Sequence, residues 1–543
     1  MTGADAVAGA LEALGVEVAF GLPGVHNLAL WRALGDSPIR LVGVRHEQAA
    51  AYAADGYARS SGRLGVALTT TGPGAANTLG AVGEAWASHS PVLVIATDIP
   101  TTVRRPGVWR GALHEASDQG AMFTPVVKHV GRVRTADAVA GEVVLAAHQA
   151  LEAPARPAYL EIPTDLLSAS VNGAPASLGR SPSPPGLDEA SVTAALELIG
   201  AAQRPLLWVG GGATAAGAGE AVALLAERIG APVITTYAAR GLLPPDHPCL
   251  VAAPPHVPEV GALWDGADLV VAIGSDLDGM MTQGWAMPAP PRLVAINVDR
   301  ADAEKSYAPD VLIEADARDA VAALAERVPP REGLLDPLSR RLTALHAAVR
   351  SGLEAGDPEP LAFLDTIAAV LPDEAVLVCD MCIPGYWLGG FYTPPGPRRM
   401  LYPLGWGTLG CAFPQALGAA LAGPGPAVSV SGDGGFLYAP GELATAAQER
   451  IPLTAVIVDD GGYGMLRYDQ ELRGDPHVGV DLLTPDFEAM AASFGVRAEA
   501  VEGLGQDFRE ALSRHVALAE PSVLVAKAAL RPPPNVSPRW YRR

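Results

Sequence analysis

Asp433 and Asp460 are each followed by a glycine, and a helix and a strand are predicted between them. Val428 to Ser431 has the pattern of a short buried strand. Gly432-Asp433-Gly434-Gly435 behind it forces a tight turn where backbone can approach a ligand closely. Pro440 to Arg450 then places Leu443, Ala446 and Ala447 at helical spacing. Leu453 to Val458 is a second apolar run, ending in Asp459-Asp460-Gly461-Gly462. A strand–helix–strand unit with parallel strands crosses over right-handedly, so both acidic ends reach one carboxyl edge of the sheet, where open α/β sheets bind ligands. Two carboxylates there suit one magnesium ion, which keeps coordination positions open for phosphate oxygens. Taken singly, each is also an ordinary turn aspartate.

Other groups with chemical potential sit at similar breaks. Phe20-Gly21-Leu22-Pro23-Gly24 is a strand end followed by a sharp turn. Arg45-His46-Glu47-Gln48 ends a second strand and opens a helix, where the Glu47 carboxylate would favour the helix dipole by roughly 0.3–1 kcal/mol. Thr71-Gly72-Pro73-Gly74-Ala75-Ala76-Asn77 is a glycine-rich turn into another helix. His89, His114 and Glu115 are candidate pocket residues further on, with core or surface packing as the plain alternative. Downstream of Asp460, Met465 and Arg467 are expected to face the same pocket, and Arg467 could hold a substrate carboxylate through a bidentate pair.

The elements that must position these groups alternate. Runs at 16–20, 39–44, 65–71, 92–97 and 158–162 read as strands, most of them separated by helical segments, which predicts a parallel sheet. A Ser/Pro/Gly-rich linker is predicted at 176–190. A second α/β region carries strands at 205–209, 232–235, 269–273, 293–298 and 311–314, and the chain breaks again near 326–337. The last region holds a strand ending at Asp380 and a helix opened by Gly405-Trp406-Gly407-Thr408-Leu409-Gly410. The expected architecture is α/β, with three doubly wound parallel-sheet domains at 1–175, 190–328 and 340–530.

The stretch from Val428 to Met465 resembles the cofactor signature of thiamine diphosphate enzymes, which opens on Gly-Asp-Gly and closes on an Asn-Asn or similar pair. FGLPG, RHEQAAAYAADGYAR and TTTGPGAAN, in that order, resemble the pyrimidine-binding domain of the same family. The resemblance covers essentially the whole chain and is similar to acetolactate synthases and 2-oxo acid decarboxylases. It implies thiamine diphosphate and Mg2+ as cofactors, with Asp433, Asp460 and the Gly462 carbonyl as metal ligands. The family usually has Asn where this chain has Asp460. Further cofactor contacts are implied for Pro23, Gly72, Asn77, Gly407, Gly432, Gly434, Gly435, Tyr463 and Gly464. Glu47 would hydrogen-bond the aminopyrimidine ring and favour its imino tautomer, and Leu409 would prop the cofactor into its bent conformation. His114 and Glu115 stand between the synthase and decarboxylase patterns at their position, so both enter the expected catalytic set. His89, Met465 and Arg467 are expected on the substrate side. The middle domain binds FAD in some members, but Trp208-Val209-Gly210-Gly211-Gly212 lacks the full dinucleotide fingerprint, so FAD is not favoured.

Composition narrows the partners. The formal charge of −21 argues against nucleic acid and anionic membranes. No apolar run is long enough for a transmembrane helix, and the N-terminus lacks a basic leader, so a cytoplasmic location is expected. The four cysteines, two of them spaced Cys379-x-x-Cys382, are expected to be reduced structural thiols. The sequence thus predicts a small-molecule 2-oxo acid substrate, with a proton or a second carbonyl compound as acceptor. The position of the acceptor-selecting Trp of acetolactate synthases is held here near Asp469, which favours a specialised decarboxylase or carboligase. Family active sites lie between two chains, so a homodimer or homotetramer is expected. A flavin- or nicotinamide-linked oxidoreductase and an inactive family member are the alternatives.

Overall fold

The computed structural model describes residues 1–105, 107–172, 185–403 and 405–534. Most of the expected linker, and the Pro- and Arg-rich tail from 535, lie outside the described residues.

Three six-stranded sheets follow one another along the chain, and every pairing within them is parallel. The first contains β1 (Val18–Gly21), β2 (Arg40–Gly43), β3 (Gly65–Thr69), β4 (Val92–Asp98), β5 (His129–Arg132) and β6 (Ala158–Pro163), in the order β2-β1-β3-β4-β6-β5. The middle sheet contains β7 (Pro205–Val209), β8 (Val233–Thr235), β9 (Leu250–Val251), β10 (Leu269–Ile273), β11 (Leu293–Asn297) and β12 (Val311–Glu314), in the order β12-β11-β10-β7-β8-β9. The third contains β13 (Val376–Cys379), β14 (Met400–Leu401), β15 (Ala427–Gly432), β16 (Leu453–Asp459), β17 (Arg497–Glu502) and β18 (Ser522–Lys527), in the order β14-β13-β15-β16-β18-β17. The first and third sheets therefore share one strand order, and the middle sheet has another. Strands buried on both faces explain the unbroken Val/Leu/Ala runs of β3, β4, β7 and β10. The expected α/β architecture, with three parallel sheets flanked by helices, is the one observed.

Five strands were expected in each of the first two regions, and each sheet has six. The additional strands, β5 and β9, are edge strands of four and two residues, too short to carry a pattern of their own.

The first and third domains share a core. Val18, Tyr52 and Val94 of the first pack in one cluster with Phe413, Phe436 and Ile457 of the third. The helix Glu47–Ser61 crosses the helix Ala412–Ala422 with almost nothing between the backbones. A Cβ on Gly56 would overlap the carbonyl of Gln415, and one on Gly418 the carbonyl of Ala53. Gln415 Nε2 donates to the buried Asp55 Oδ2 at 2.7 Å across this crossing. His46 caps the first helix by accepting from Gln48 N–H, and Gly62 ends it in the left-handed conformation at φ 74°.

Candidate active site

In the third domain β13, β15 and β16 lie side by side, so Asp380, Asp433 and Asp460 emerge at one carboxyl edge. Asp433 opens the single turn Asp433–Phe436 and is fully buried, yet neither of its carboxylate oxygens has a hydrogen-bond partner. Oδ1 of Asp460 is likewise buried and unpartnered. Burial, then the charge of Asp460, pushes the Asp433 carboxyl up to about 7, and burial raises Asp460 as well. Two buried carboxylates, both raised by burial, are costly without a cation between them. Among the described residues no cluster of three His, Cys, Asp or Glu could hold a metal. Two carboxylates with a backbone carbonyl and open positions is instead a magnesium-type donor set. The Gly462 bridge to Asp481 engages the Gly461 carbonyl and the Tyr463 N–H, leaving the Gly462 carbonyl outside it.

These carboxylates border a cavity of about 110 Å³. The starts of two helices, Ile383–Phe391 and Gly464–Arg473, line it, and their N–H groups favour an anion such as a diphosphate. The glycines here are steric requirements. A Cβ on Gly434 would strike the Tyr463 ring, one on Gly435 the Asp380 carboxylate and one on Gly464 the Asp460 carboxylate. Leu409, Gly432, Gly462 and Met465 complete the predicted wall, and Gly407 adopts φ 72° beside the Met381 methyl. Met381, Cys382 and Ile383 also line the cavity, although the sequence pattern there assigned no contacts. The Arg467 guanidinium is occupied elsewhere. It pairs with Asp481 at 2.9 Å and holds the carbonyls of Asp460 and Gly461 at 3.3 and 3.2 Å, so it braces the turn after Asp460.

A second cluster lies at the carboxyl edge of the first sheet. Glu47 is 8% exposed and accepts a 3.0 Å hydrogen bond from Asn77 Nδ2. Gly74 lies against its other oxygen. Gly72, at φ 64°, meets the backbone of His114, itself at φ 65°. The buried Gln119 accepts from Gly72 N–H at 2.5 Å and donates to the Thr97 carbonyl at 2.9 Å, and so pins that turn. Pro23 sits in a turn closed by Asn27, which accepts from Gly24 N–H and donates to the Leu22 carbonyl. His26 meets His114 edge-on with ring centroids 5.2 Å apart, and Nδ1 of each is buried without a partner. Burial, then His114, holds the His26 imidazole below its usual range. Sequence reasoning found Glu47, Gly72, Asn77 and His114 here, and missed His26 and Gln119, which no local motif marks.

Two predicted residues stand apart from this cluster. Glu115 accepts from the N–H groups of Arg110 and Ala112, which close its own loop, and those bonds keep its carboxyl below the usual range. His89 precedes β4 and is therefore at the amino edge, beside the Arg156–Asp302 ion pair.

In the middle domain the strand order reverses between β10 and β7, where α/β sheets place nucleotides. Backbones approach closely there: a Cβ on Gly210 or Gly212 would overlap Gly274. These glycines serve packing.

Three family models match the chain in order. They are the thiamine pyrophosphate enzyme N-terminal TPP binding domain over residues 1–122, the central domain over 192–324 and the C-terminal TPP binding domain over 382–526. A probable 2-ketoarginine decarboxylase of Pseudomonas aeruginosa is 36% identical over 501 residues, covering 91% of this chain and 88% of its own length. The chain belongs to the thiamine pyrophosphate enzyme family. A probable acetolactate synthase large subunit of Methanocaldococcus jannaschii is 31% identical and covers 96% of this chain and 91% of its own length. The thiamine diphosphate-dependent 4-hydroxybenzoylformate decarboxylase of Rhodococcus jostii RHA1 superposes with a TM-score of 0.83 over 98% of this chain and all of its own; at 24% identity it attests the fold. As a thiamine pyrophosphate enzyme, the chain has thiamine diphosphate as its cofactor. The side-chain-free turns at Gly434, Gly435 and Gly464 fit the diphosphate of that cofactor, and the buried, unpartnered Asp433 oxygens fit a cation beside it. Among the described residues no helix is long and apolar enough to cross a membrane.

Proposed function

We propose that this protein decarboxylates a small 2-oxo acid with thiamine diphosphate and Mg2+ and releases an aldehyde, acting in the cytoplasm as a homodimer or homotetramer. One observation carries the oligomeric part of this reading. The Asp433 cavity is walled by third-domain residues alone, while Glu47 and Asn77 sit on the first domain outside that wall. A second copy that lays its first-domain edge over the cavity completes the site. Large apolar side chains are exposed on both edges, Val25, Leu28 and Trp109 on one and Leu466, Val478 and Leu483 on the other, as such an interface requires.

Asp433, Asp460 and the Gly462 carbonyl would hold the metal, and the two helix starts would hold the diphosphate. Glu47, oriented by Asn77, would be the acid–base group towards the aminopyrimidine, and Leu409 would support the bound cofactor. Bound there, thiamine diphosphate supplies an electron sink for the pair left behind when the substrate carboxylate departs as carbon dioxide. The His26–His114 pair, on the same domain edge as Glu47, supplies ring nitrogens that could relay a proton to the carbon that lost the carboxylate. The apolar wall of Ile383, Met465, Leu466 and Leu530 supports a second reading, in which excluded water leaves that carbon to meet another carbonyl and give a hydroxyketone.

The test is carbon dioxide release from a panel of 2-oxo acids, with and without thiamine diphosphate and Mg2+, with products identified by mass spectrometry. Cofactor-dependent release is expected, and aldehyde against hydroxyketone separates the two readings. No release from any acid, despite measured cofactor binding, would overturn both. A catalytically active monomer in sedimentation would overturn the shared site.

A further inference from the structure

Leu409 reaches the cofactor cavity from a loop whose flanking residues are tied to two buried carboxylates of different domains. On its N-terminal side, Thr408 Oγ1 donates to Glu84 Oε2 at 3.1 Å. On its C-terminal side, Gly410 N–H donates to both carboxylate oxygens of Asp380, at 2.9 and 3.0 Å. Glu84 and Asp380 are both fully buried. Glu84 belongs to the first-domain helix Leu79–Ala87, and its other oxygen accepts from Ser88 Oγ at 3.0 Å. Asp380 stands at the end of β13 and fills the space that a Cβ on Gly435 would take. The same loop is seated on the first domain twice more. The Trp406 ring occupies the space over Gly83, and Gly405 abuts the Ala87 methyl. A carboxylate buried without hydrogen bonds is strongly unfavourable, so each of these two is bound to the donors it holds, and the donors to it.

We propose that Glu84 and Asp380 are positioning residues that clamp Thr408 and Gly410 and thereby fix Leu409 against the cofactor. Glu84 does so from the opposite domain. The proposal rests on the reading of the cavity as the thiamine diphosphate site. It also links this chain's Leu409 loop to the Glu47 edge that the same chain would lay over the second copy's cavity. The helix carrying Glu84 begins directly after the turn that carries Asn77, so one short rigid element sets both the Glu47 partner and the Leu409 loop.

The test uses the full chain with Thr408→Val, Glu84→Ala, Glu84→Gln and the Thr408→Val/Glu84→Ala pair. Three quantities are read: hydrogen exchange of 405–411 without cofactor, Mg2+–thiamine diphosphate affinity by tryptophan fluorescence, and kcat. Thr408→Val and Glu84→Ala are each expected to speed exchange in 405–411 about ten-fold, with β15 and β16 unchanged. Both should lower kcat about ten-fold while the cofactor affinity stays within about three-fold, because misplacing a support costs orientation more than binding. Glu84→Gln keeps an acceptor for Thr408 and should retain more than about half of kcat. The paired variant should lose no more than either single one, as expected for one shared bond. Unchanged exchange and kcat in folded Thr408→Val, or additive losses in the pair, would overturn the clamp. Should Glu84→Ala fail to fold, Thr408→Val decides. Should the wild type decarboxylate nothing, the proposed activity falls, and the clamp is still judged on the exchange of the cofactor-free chain.

Discussion

Asn77 donates its side-chain N–H to Glu47 at 3.0 Å, and that bond points one carboxylate oxygen into the protein and leaves the other beside Gly74. The carboxyl group is thus oriented before any ligand arrives. Removing its proton chemistry while keeping its shape should therefore separate catalysis from binding. Glu47→Gln is expected to lower kcat by roughly 10²–10⁴-fold, the usual weight of a positioned acid–base group. Mg2+ and thiamine diphosphate affinity should be nearly unchanged in a fluorescence titration, and wild-type turnover would remove Glu47 from the chemistry.

Asp433 and Asp460 are a cost to the chain without a cation, since burial raises both and the charge of Asp460 raises Asp433 further. Mg2+ with thiamine diphosphate should raise the melting temperature, corresponding to about 2.7 kcal/mol at a hundred times Kd. Chelation should reverse the shift. Asp433→Ala should abolish it. Asp460→Asn keeps an oxygen ligand, relieves the repulsion and should retain the shift. Differential scanning calorimetry of the three proteins checks all of these.

Glu84 gives a stability signature in pH. Burial pushes its carboxyl from 4.5 up to about 7, so the folded chain holds a proton there that the unfolded chain has released. Its penalty is absent below about pH 4.5, grows as pH rises through the interval and is complete above about pH 7. Glu84→Gln should accordingly be more stable than wild type at pH 8, by up to about 3 kcal/mol, with the difference vanishing towards pH 4.5. Melting curves of the two proteins across that range test it, and a constant difference would contradict the assignment.

Gly418→Ala is a steric prediction. Its Cβ would fall within bonding range of the Ala53 carbonyl, on backbone that cannot turn aside. A loss of about 3 kcal/mol or more, or failure to fold, is expected, whereas Gly9→Ala, inside the helix Gly3–Ala13 with nothing within 4 Å, should stabilise by about 0.5–1 kcal/mol. Urea midpoints for both variants provide the comparison.

What could be read from the sequence was what local residue order encodes. Glycine–acid punctuation after apolar runs marked Asp433 and Asp460, the resemblance to a pyrimidine-binding domain marked Glu47 and Asn77, and in a parallel sheet such strand ends share one edge. Residues whose roles arise from meeting distant segments left no such mark. His26 gains interest from the His114 ring, Gln119 from the N–H of Gly72, and Glu84 from Thr408, more than three hundred positions away. Arg467 followed the converse path. Its type and place suggested a substrate anchor, but Asp481 and two carbonyls occupy its donors, and Asp481 lies in a loop that no motif announces.

The crossing of Glu47–Ser61 over Ala412–Ala422 has a consequence for how the chain is made. The first helix is rich in alanine and is buried from Ala49 to Ala58, with part of that cover supplied by a segment synthesised hundreds of residues later. While the ribosome is still completing the middle domain, this helix faces solvent or a chaperone. A nascent chain stopped before residue 412 should therefore be aggregation-prone however well its own sheet has formed, and the late arrival of one eleven-residue helix should set the pace of productive folding.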